Sequence, residues 1–308
     1  MRIRTSACLG LASGLIALVL PAAPALALDV FACEPEWAAL VRVLAPDARV
    51  TTATHARQDP HHIEARPALI AGLRRADLAV CTGASLEIGW LPMLQQRSGN
   101  ALVQDGAPGM FYAAQAVELI EAHAQVDRSM GDVHAEGNPH FHLDPRRLAR
   151  VAASLTERLG RIDAPGRAGY AQRLAAWQAQ WEERIARWEA KAMRLKGRRV
   201  VAQHSGFDYL WAWLGLEQIA DLEPKPGLPP TAAHLQTVLQ QVRDAPPMVI
   251  VQTLYQDPQP GRWLHERIAT PLLRLPSTVT PDGSSTDLES LFDHLIAELD
   301  AVAAKAPR

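Results

Sequence analysis

Three separated segments of the chain carry histidines whose imidazole rings are suited to holding a metal ion. These segments are 58-QDPHHIEARP-67, 137-GNPHFHLDP-145 and 202-AQHSGFDYL-210. Neutral imidazole is a good ligand for zinc and for neighbouring transition metals. Pro60 and Pro139 each directly precede a histidine and restrict the backbone there, which favours a ring held in one place. The pattern predicts a metal site, although a lone histidine before a helix is more often exposed or a helix cap.

The histidine segments are far apart in sequence, so the fold must bring them together. Short apolar, β-rich runs alternate with helical patterns from residue 28 to about residue 82, and again after Gly197. In the first of these stretches, helices are predicted from about Glu36 to Leu44 and from about Pro67 to Arg75. Such alternation predicts an α/β fold in which helices cover mostly parallel sheets. In sheets of this kind, ligands bind in the loops at the carboxyl ends of the strands. We therefore expect the three segments to meet at such an edge.

Asp144 and Pro145 predict the capped start of a helix that runs to about Leu159. A long amphipathic helix is predicted after it, between two α/β lobes. Its large residues recur at steps of three or four. They are Tyr170, Leu174, Trp177, Trp181, Ile185, Trp188, Ala192 and Leu195. An aromatic ligand platform is one interpretation of the tryptophans, but core packing is favoured. The predicted organisation is a signal peptide at 1–27, a first lobe at 28–160, the bridging helix at 161–197 and a second lobe at 198–308.

The first residues have the features of a secretory signal. Two arginines are followed by an apolar run that ends in Ala25-Leu26-Ala27, which has the form of a cleavage site. Pro21 and Pro24 interrupt the run before it reaches the roughly 20 apolar residues of a membrane-spanning helix. We predict cleavage after about Ala27 and export to a periplasm. With 33 acidic and 31 basic residues, the chain shows no sign of a nucleic-acid partner.

Cys33 and Cys81 remain in the mature chain, and each ends a run typical of a buried strand. Adjacent parallel strands place two such cysteines within bonding range, and a periplasm permits disulfides. A disulfide and two inert thiols are both open interpretations. A metal site built on the two cysteines is a third, weaker one.

Several motifs in fixed order carry a family resemblance. They are Gln58-Asp59-Pro60-His61, Asn138-Pro139-His140, Leu143-Asp144-Pro145, Val200-Val201-Ala202-Gln203-His204, Tyr209, Gly215-Leu216 and Glu223-Pro224. Together they resemble the periplasmic zinc- and manganese-binding proteins of ABC importers, the cluster A-I family of zinc-uptake type. The resemblance covers essentially the whole mature chain. It implies a metal site in the cleft between the lobes of a monomer, with an inner-membrane ABC permease as partner and a periplasmic metal donor as a further candidate.

The resemblance also assigns the metal ligands residue by residue. His61, His140 and His204 match the family's three histidine ligands. His142 stands where relatives commonly have an aromatic residue, so it is interpreted as part of the wall around the site, with ligation of the metal as the alternative. His134 lies in the same loop as His140, where it is placed to help capture the metal.

The fourth ligand is the point where the sequence departs from the family. Many relatives have an aspartate near the end of the last strand, where this chain has Pro276 and Ser277. Gln252 stands at a second position where relatives often have glutamate. The expected fourth ligand is therefore water, followed by Asp282 and then Asp257. A site of imidazoles without a carboxylate favours zinc (Zn²⁺) over manganese (Mn²⁺).

Two other functions use the same zinc chemistry. A zinc buffer or a metal-binding adhesin on this scaffold has no permease partner. A secreted zinc hydrolase needs a general base, and the candidate is Glu64, a carboxylate of the first histidine segment. The run 61-HHIE-64 lacks the H-E-x-x-H spacing that places two ligands and a base on one helix. We therefore expect a binding protein and not an enzyme.

Overall fold

The computed structural model describes residues 27–124, 126–127, 130–281 and 283–305. The predicted signal peptide before Ala27 lies outside these ranges, and so does Asp282. None of the helices in the described ranges combines the length and the hydropathy that a membrane crossing needs.

The first lobe contains a sheet of four parallel strands in the order β2-β1-β3-β4. The strands are β1 (Asp29–Ala32), β2 (Arg49–Thr52), β3 (Leu78–Cys81) and β4 (Met110–Tyr112), with helices α1 (Pro35–Leu44), α2 (Pro67–Arg75) and α3 (Leu91–Ser98) between them. All of β3 is buried, as expected for an apolar strand covered on both faces. The strands and helices predicted up to residue 82 are present. The short β4 and the partly polar α3 were not predicted.

Two helices follow the first sheet. They are α4 (Pro145–Ile162) and α5 (Arg167–Ala192). The Asp144 side chain accepts a hydrogen bond from the Arg146 backbone N–H, and Pro145 occupies the first turn of α4. This is the capped start that the sequence predicted. Helix α5 has 26 residues and is therefore about 39 Å long at about 1.5 Å per residue.

The second lobe repeats the topology of the first, with four parallel strands in the order β6-β5-β7-β8. The strands are β5 (Arg199–Ala202), β6 (Glu217–Asp221), β7 (Val249–Thr253) and β8 (Leu272–Leu275), and the helices are α6 (Asp208–Leu214), α7 (Ala232–Val242), α8 (Gln259–Ile268) and α9 (Leu288–Ala303). Of these elements, only α8 was not predicted from the sequence. The predicted fold, two parallel-sheet lobes with a long helix between them, is confirmed.

The aromatic stripe of α5 is core. Helix α5 packs against α1, α4 and α9. Trp181 is fully buried, stacks on Trp177 at 4.7 Å between ring centroids and meets Trp188 edge-on at 5.2 Å. Phe292 of α9 meets Trp181 edge-on at 5.7 Å. The stripe therefore joins the bridging helix to the first lobe and to the last helix of the chain, and the core-packing interpretation is confirmed.

Cys33 and Cys81 form a disulfide bond. Cys33 follows β1 and Cys81 ends β3, and these strands are neighbours in the first sheet. Their Cα atoms are 4.8 Å apart, and both residues are fully buried. The disulfide is thus the correct one of the three interpretations left open by the sequence.

Candidate metal centre

His61, His140 and His204 meet between the two lobes. Each offers a ring nitrogen, and these nitrogens all lie within 4.8 Å of one another. All three residues are buried. His61 and His140 come from loops after β2 and β4 of the first sheet, and His204 follows β5 of the second. The carboxyl-end loops of both sheets therefore contribute to one cluster, as the α/β pattern predicted.

Asp59 positions His61. The Asp59 Oδ1 atom accepts hydrogen bonds from the His61 backbone N–H at 3.0 Å and from the ring Nδ1 at 2.7 Å. Burial on its own would raise the pKa of Asp59, but the hydrogen bond and charge of His61 lower this pKa to about 2. Because Nδ1 carries the proton in this hydrogen bond, Nε2 keeps its lone pair for a metal. Trp90 anchors the loop by donating from Nε1 to the Pro60 carbonyl at 2.9 Å.

Asn138 positions His140. Its Oδ1 accepts the His140 backbone N–H at 2.9 Å, and its Nδ2 donates to the Ser205 carbonyl of the second lobe at 2.9 Å. Burial, together with the neighbouring His204 and His61, holds the pKa of His140 well below its usual value. The imidazole of His140 is therefore neutral at pH 7 and able to donate a lone pair.

His204 has an unusual backbone conformation. Its φ of 69° lies in the region that favours glycine, and such strain is concentrated at functional sites. The Asp221 Oδ1 atom accepts the His204 N–H at 3.0 Å, and Glu223 Oε2 lies 3.1 Å from the ring Nδ1. Burial lowers the pKa of His204, but the hydrogen bond and charge of Glu223 outweigh it, so this pKa is raised. These two carboxylates fix the ring with Nε2 directed away from Glu223.

The other histidines of the two loops have different surroundings. The His62 side chain is 70% exposed, and its nearest charged partner is Asp132 at 3.8 Å. His134 Nε2 lies 3.3 Å from His61 Nε2, which makes it a fourth imidazole at the edge of the cluster. Burial, followed by the charges of His61 and His204, lowers the pKa of His134 to about 4. His142 is buried beside the cluster, where its Nε2 lies 2.7 Å from the Ser277 carbonyl oxygen.

Of the two candidate carboxylates for the fourth ligand, only Asp257 lies in the described residues, and it does not join the three histidines. Asp257 is exposed, and its Oδ1 accepts the Gln259 N–H at the start of α8. Gln252 is fully buried but donates to Gln203 Oε1 at 2.6 Å and to the Asp257 carbonyl at 2.8 Å. In the part of the chain that the structure describes, no carboxylate lies within 4.8 Å of all three histidines. Asp282 lies outside that part.

Glu223 has a larger role than the sequence indicated. Its Oε2 accepts the Gly227 N–H at 2.8 Å in the Pro-rich loop after β6, and the same oxygen contacts the His204 ring. The signal in the sequence was the Glu223-Pro224 pair, which belongs to the motifs that carry the family resemblance.

We predict that Glu223→Ala weakens zinc binding by about 10- to 100-fold, the usual cost of losing the outer partner of a metal-binding histidine. Glu223→Gln should have a smaller effect, because an amide oxygen still accepts from the ring but carries no charge. Titration against a chromophoric chelator measures both. Glu217→Ala, which removes an exposed glutamate of the neighbouring strand β6, is the control and should bind zinc as the unaltered protein does. Equal affinity for all three variants would contradict this role of Glu223.

The chain matches a known family along most of its length. The sequence profile described as zinc-uptake complex component A, periplasmic (ZnuA), covers residues 30–302 of the 308. The chain belongs to the ZnuA family. The family resemblance inferred from the histidine motifs is therefore confirmed.

The curated relatives are distant in sequence. The high-affinity zinc uptake system protein ZnuA of Bacillus subtilis strain 168 is 23% identical over 181 residues, which is 58% of this chain and 55% of the relative. The zinc-binding lipoprotein AdcA of Streptococcus pneumoniae serotype 4 is 25% identical over 211 residues, 66% of this chain and 40% of the relative. The chain thus spans about half the length of the curated relatives it matches.

Solved structures share the fold. A crystal structure of ZnuA superimposes with a TM-score of 0.74 at 20% identity and covers 90% of this chain and 99% of that one. The solute-binding protein FpvC from Pseudomonas aeruginosa, in complex with Mn²⁺, gives a TM-score of 0.75 at 20% identity and covers 91% and 99% of the two chains. These ZnuA-like structures support the architecture of two lobes and a long helix.

Proposed function

We propose that this ZnuA family member is a periplasmic solute-binding protein that captures zinc between its lobes and delivers it to an inner-membrane ABC permease. The observation that carries the proposal is the convergence of the buried His61, His140 and His204 rings, with a ring nitrogen of each within 4.8 Å of the others. Family membership and the zinc named for the curated relatives support the same cargo. The proposed ligands are these three histidines.

The chemistry of the ligand set favours zinc over manganese. Imidazole nitrogen suits zinc, whereas manganese prefers sites with more oxygen. Three protein ligands also leave one position of a tetrahedral zinc open. We propose that water occupies that position, with His134 as the protein group placed to replace it because of its 3.3 Å approach to His61.

Delivery to a permease requires that the protein release its zinc, and the distribution of the proposed ligands over both lobes suggests a mechanism for this release. His61 and His140 belong to the first lobe and His204 to the second, so separation of the lobes removes one ligand from the other two. The packed stripe of α5 limits how far the lobes move apart. The Asn138 hydrogen bond to Ser205 spans the same cleft and must break in any opening there. We propose that docking on the permease drives this separation.

Proteins of the ZnuA family are metal-binding transport proteins, and the site gives no support for hydrolysis. Glu64, the candidate general base, is exposed. A general base must lie within hydrogen-bond reach of the metal-bound water, directly or through one further water. No carboxylate of the described ranges joins the three histidines. Zinc bound here is therefore proposed as cargo and not as a catalyst.

Calorimetric titration of the metal-stripped mature protein tests the cargo. We expect one zinc ion bound with sub-micromolar affinity and not displaced by an equal concentration of manganese. Zinc-dependent stimulation of the permease's ATPase activity then separates an importer subunit from a buffer or adhesin. Preferential binding of manganese would contradict the zinc assignment, and tight zinc binding without stimulation would contradict the importer role.

A further inference from the structure

A second pair of metal-ligating side chains lies beside the three histidines. His142 and Glu36 are both buried, and His142 Nδ1 lies 3.3 Å from Glu36 Oε1. The other ring nitrogen of His142 lies 2.7 Å from the Ser277 carbonyl oxygen. A carbonyl oxygen only accepts, so Nε2 carries a proton. In the neutral ring Nδ1 is therefore an acceptor that faces a carboxylate oxygen.

The geometry of this pair is that of two ligands and not that of a hydrogen bond. Among the described residues, His142 Nδ1 has no hydrogen-bond partner, although Glu36 is close. Two acceptors at this separation repel each other unless a positive charge or a donor lies near both. Ligand atoms about 2.0–2.1 Å from a tetrahedral zinc lie about 3.4 Å apart. The observed 3.3 Å matches that spacing.

Both side chains have the outer contacts expected of metal ligands. A metal-binding histidine usually donates its other N–H to a carbonyl or carboxylate, and a metal-binding carboxylate is itself hydrogen-bonded. His142 donates to the Ser277 carbonyl, and Glu36 Oε2 accepts from the Thr278 hydroxyl. Ser277 and Thr278 belong to the second lobe, whereas His142 and Glu36 belong to the first. The pair is therefore held in place by contacts that cross the cleft.

A small cavity adjoins the pair. Its volume is about 30 Å³, and its lining includes Glu36, His140 and His142. A water molecule needs roughly 10–15 Å³ of such volume, so the cavity has room for an ion or for one or two waters. Gln58 Oε1 and Thr253 Oγ1 belong to lining residues and have no hydrogen-bond partner within the described part of the chain. The residues that line the cavity therefore include buried polar side chains suited to contact an ion or a water.

We propose that His142 Nδ1 and Glu36 Oε1 form a second site for a divalent cation of zinc-like chemistry. Water in the adjoining cavity completes the coordination. With two protein ligands instead of three, this site binds zinc more weakly than the three-histidine cluster. The sequence interpretation placed His142 in the wall around the site, with ligation of the metal as the alternative. Glu36 lies in the first turn of α1, and its carboxylate faces His142.

The test is the anomalous scattering of zinc in crystals of the mature protein soaked in excess zinc. We expect two peaks in the cleft, one among His61, His140 and His204 and one between His142 Nδ1 and Glu36 Oε1. His142→Phe keeps a ring against Trp37 but removes the nitrogen, so only the second peak should disappear. Glu36→Gln should weaken the second peak. His62→Phe, which removes an exposed histidine of the first loop, should retain both.

A wild-type map with a peak at the three-histidine cluster but none between His142 and Glu36 would overturn the proposal. A second peak that persists at full height in both variants would overturn it as well. Should His142→Phe fail to fold, the wild-type map and Glu36→Gln still decide. Absence of the first peak alone would instead contradict the proposed zinc-capture function.

Discussion

Replacing His61 with alanine will lower zinc affinity by more than the roughly 100-fold that loss of an outer partner costs, because it removes a proposed ligand itself. Replacing the adjacent His62 will leave the affinity unchanged. The two residues have the same chemistry and follow the same proline, but His61 is buried in the cluster and the His62 side chain is 70% exposed. Competition with a chromophoric zinc chelator at pH 7 measures both constants.

This pair of variants is informative because each is the control for the other. Any general effect of losing an imidazole from this loop is common to both, so the difference reports the position of the ring. The same experiment on His140 and His204 should reproduce the loss seen for His61. Equal effects at residues 61 and 62 would contradict the ligand assignment and would point to unspecific binding by surface histidines.

Trp181→Ala is expected to destabilise the fold by about 3–5 kcal/mol, the range for removing a fully buried large aromatic side chain. Trp181 stacks on Trp177, meets Phe292 edge-on and donates from Nε1 to the Pro145 carbonyl at 2.8 Å. The substitution leaves a cavity where α5 joins α4 and α9, and it leaves the Pro145 carbonyl without this donor. Urea unfolding followed by circular dichroism gives the change in unfolding free energy.

Gln180→Ala is the matched control, since Gln180 precedes Trp181 on the same helix and is exposed. It should change the unfolding free energy by less than about 0.5 kcal/mol, as is usual for surface substitutions. A similarly small change for Trp181→Ala would show that the stripe does not hold the bridging helix. If the stripe were instead a ligand platform, Trp181→Ala would lower zinc affinity and leave the unfolding free energy unchanged.

The sequence by itself determined the local elements and the identity of the clustered histidines. Helix α2 was predicted at its observed bounds, and the start of α4 was predicted from Asp144 and Pro145, because helix caps and hydrophobic periodicity are properties of neighbouring residues. The stripe of α5 was visible for the same reason. The elements that were missed, β4, α3 and α8, are short or have weak patterns. Family motifs selected His61, His140 and His204 from the eleven histidines of the chain.

Only the tertiary structure decided what surrounds those histidines. The disulfide between Cys33 and Cys81 depends on which strands are neighbours in the sheet. The positive φ of His204 is held by hydrogen bonds to Asp221 at the end of β6 and to Glu223 in the loop after it. The His142 and Glu36 side chains face each other because hydrogen bonds to Ser277 and Thr278 of the second lobe orient them. Side-chain orientation in a cleft is set by hydrogen bonds and packing between segments far apart in sequence. A one-dimensional pattern contains the residue types but not those contacts.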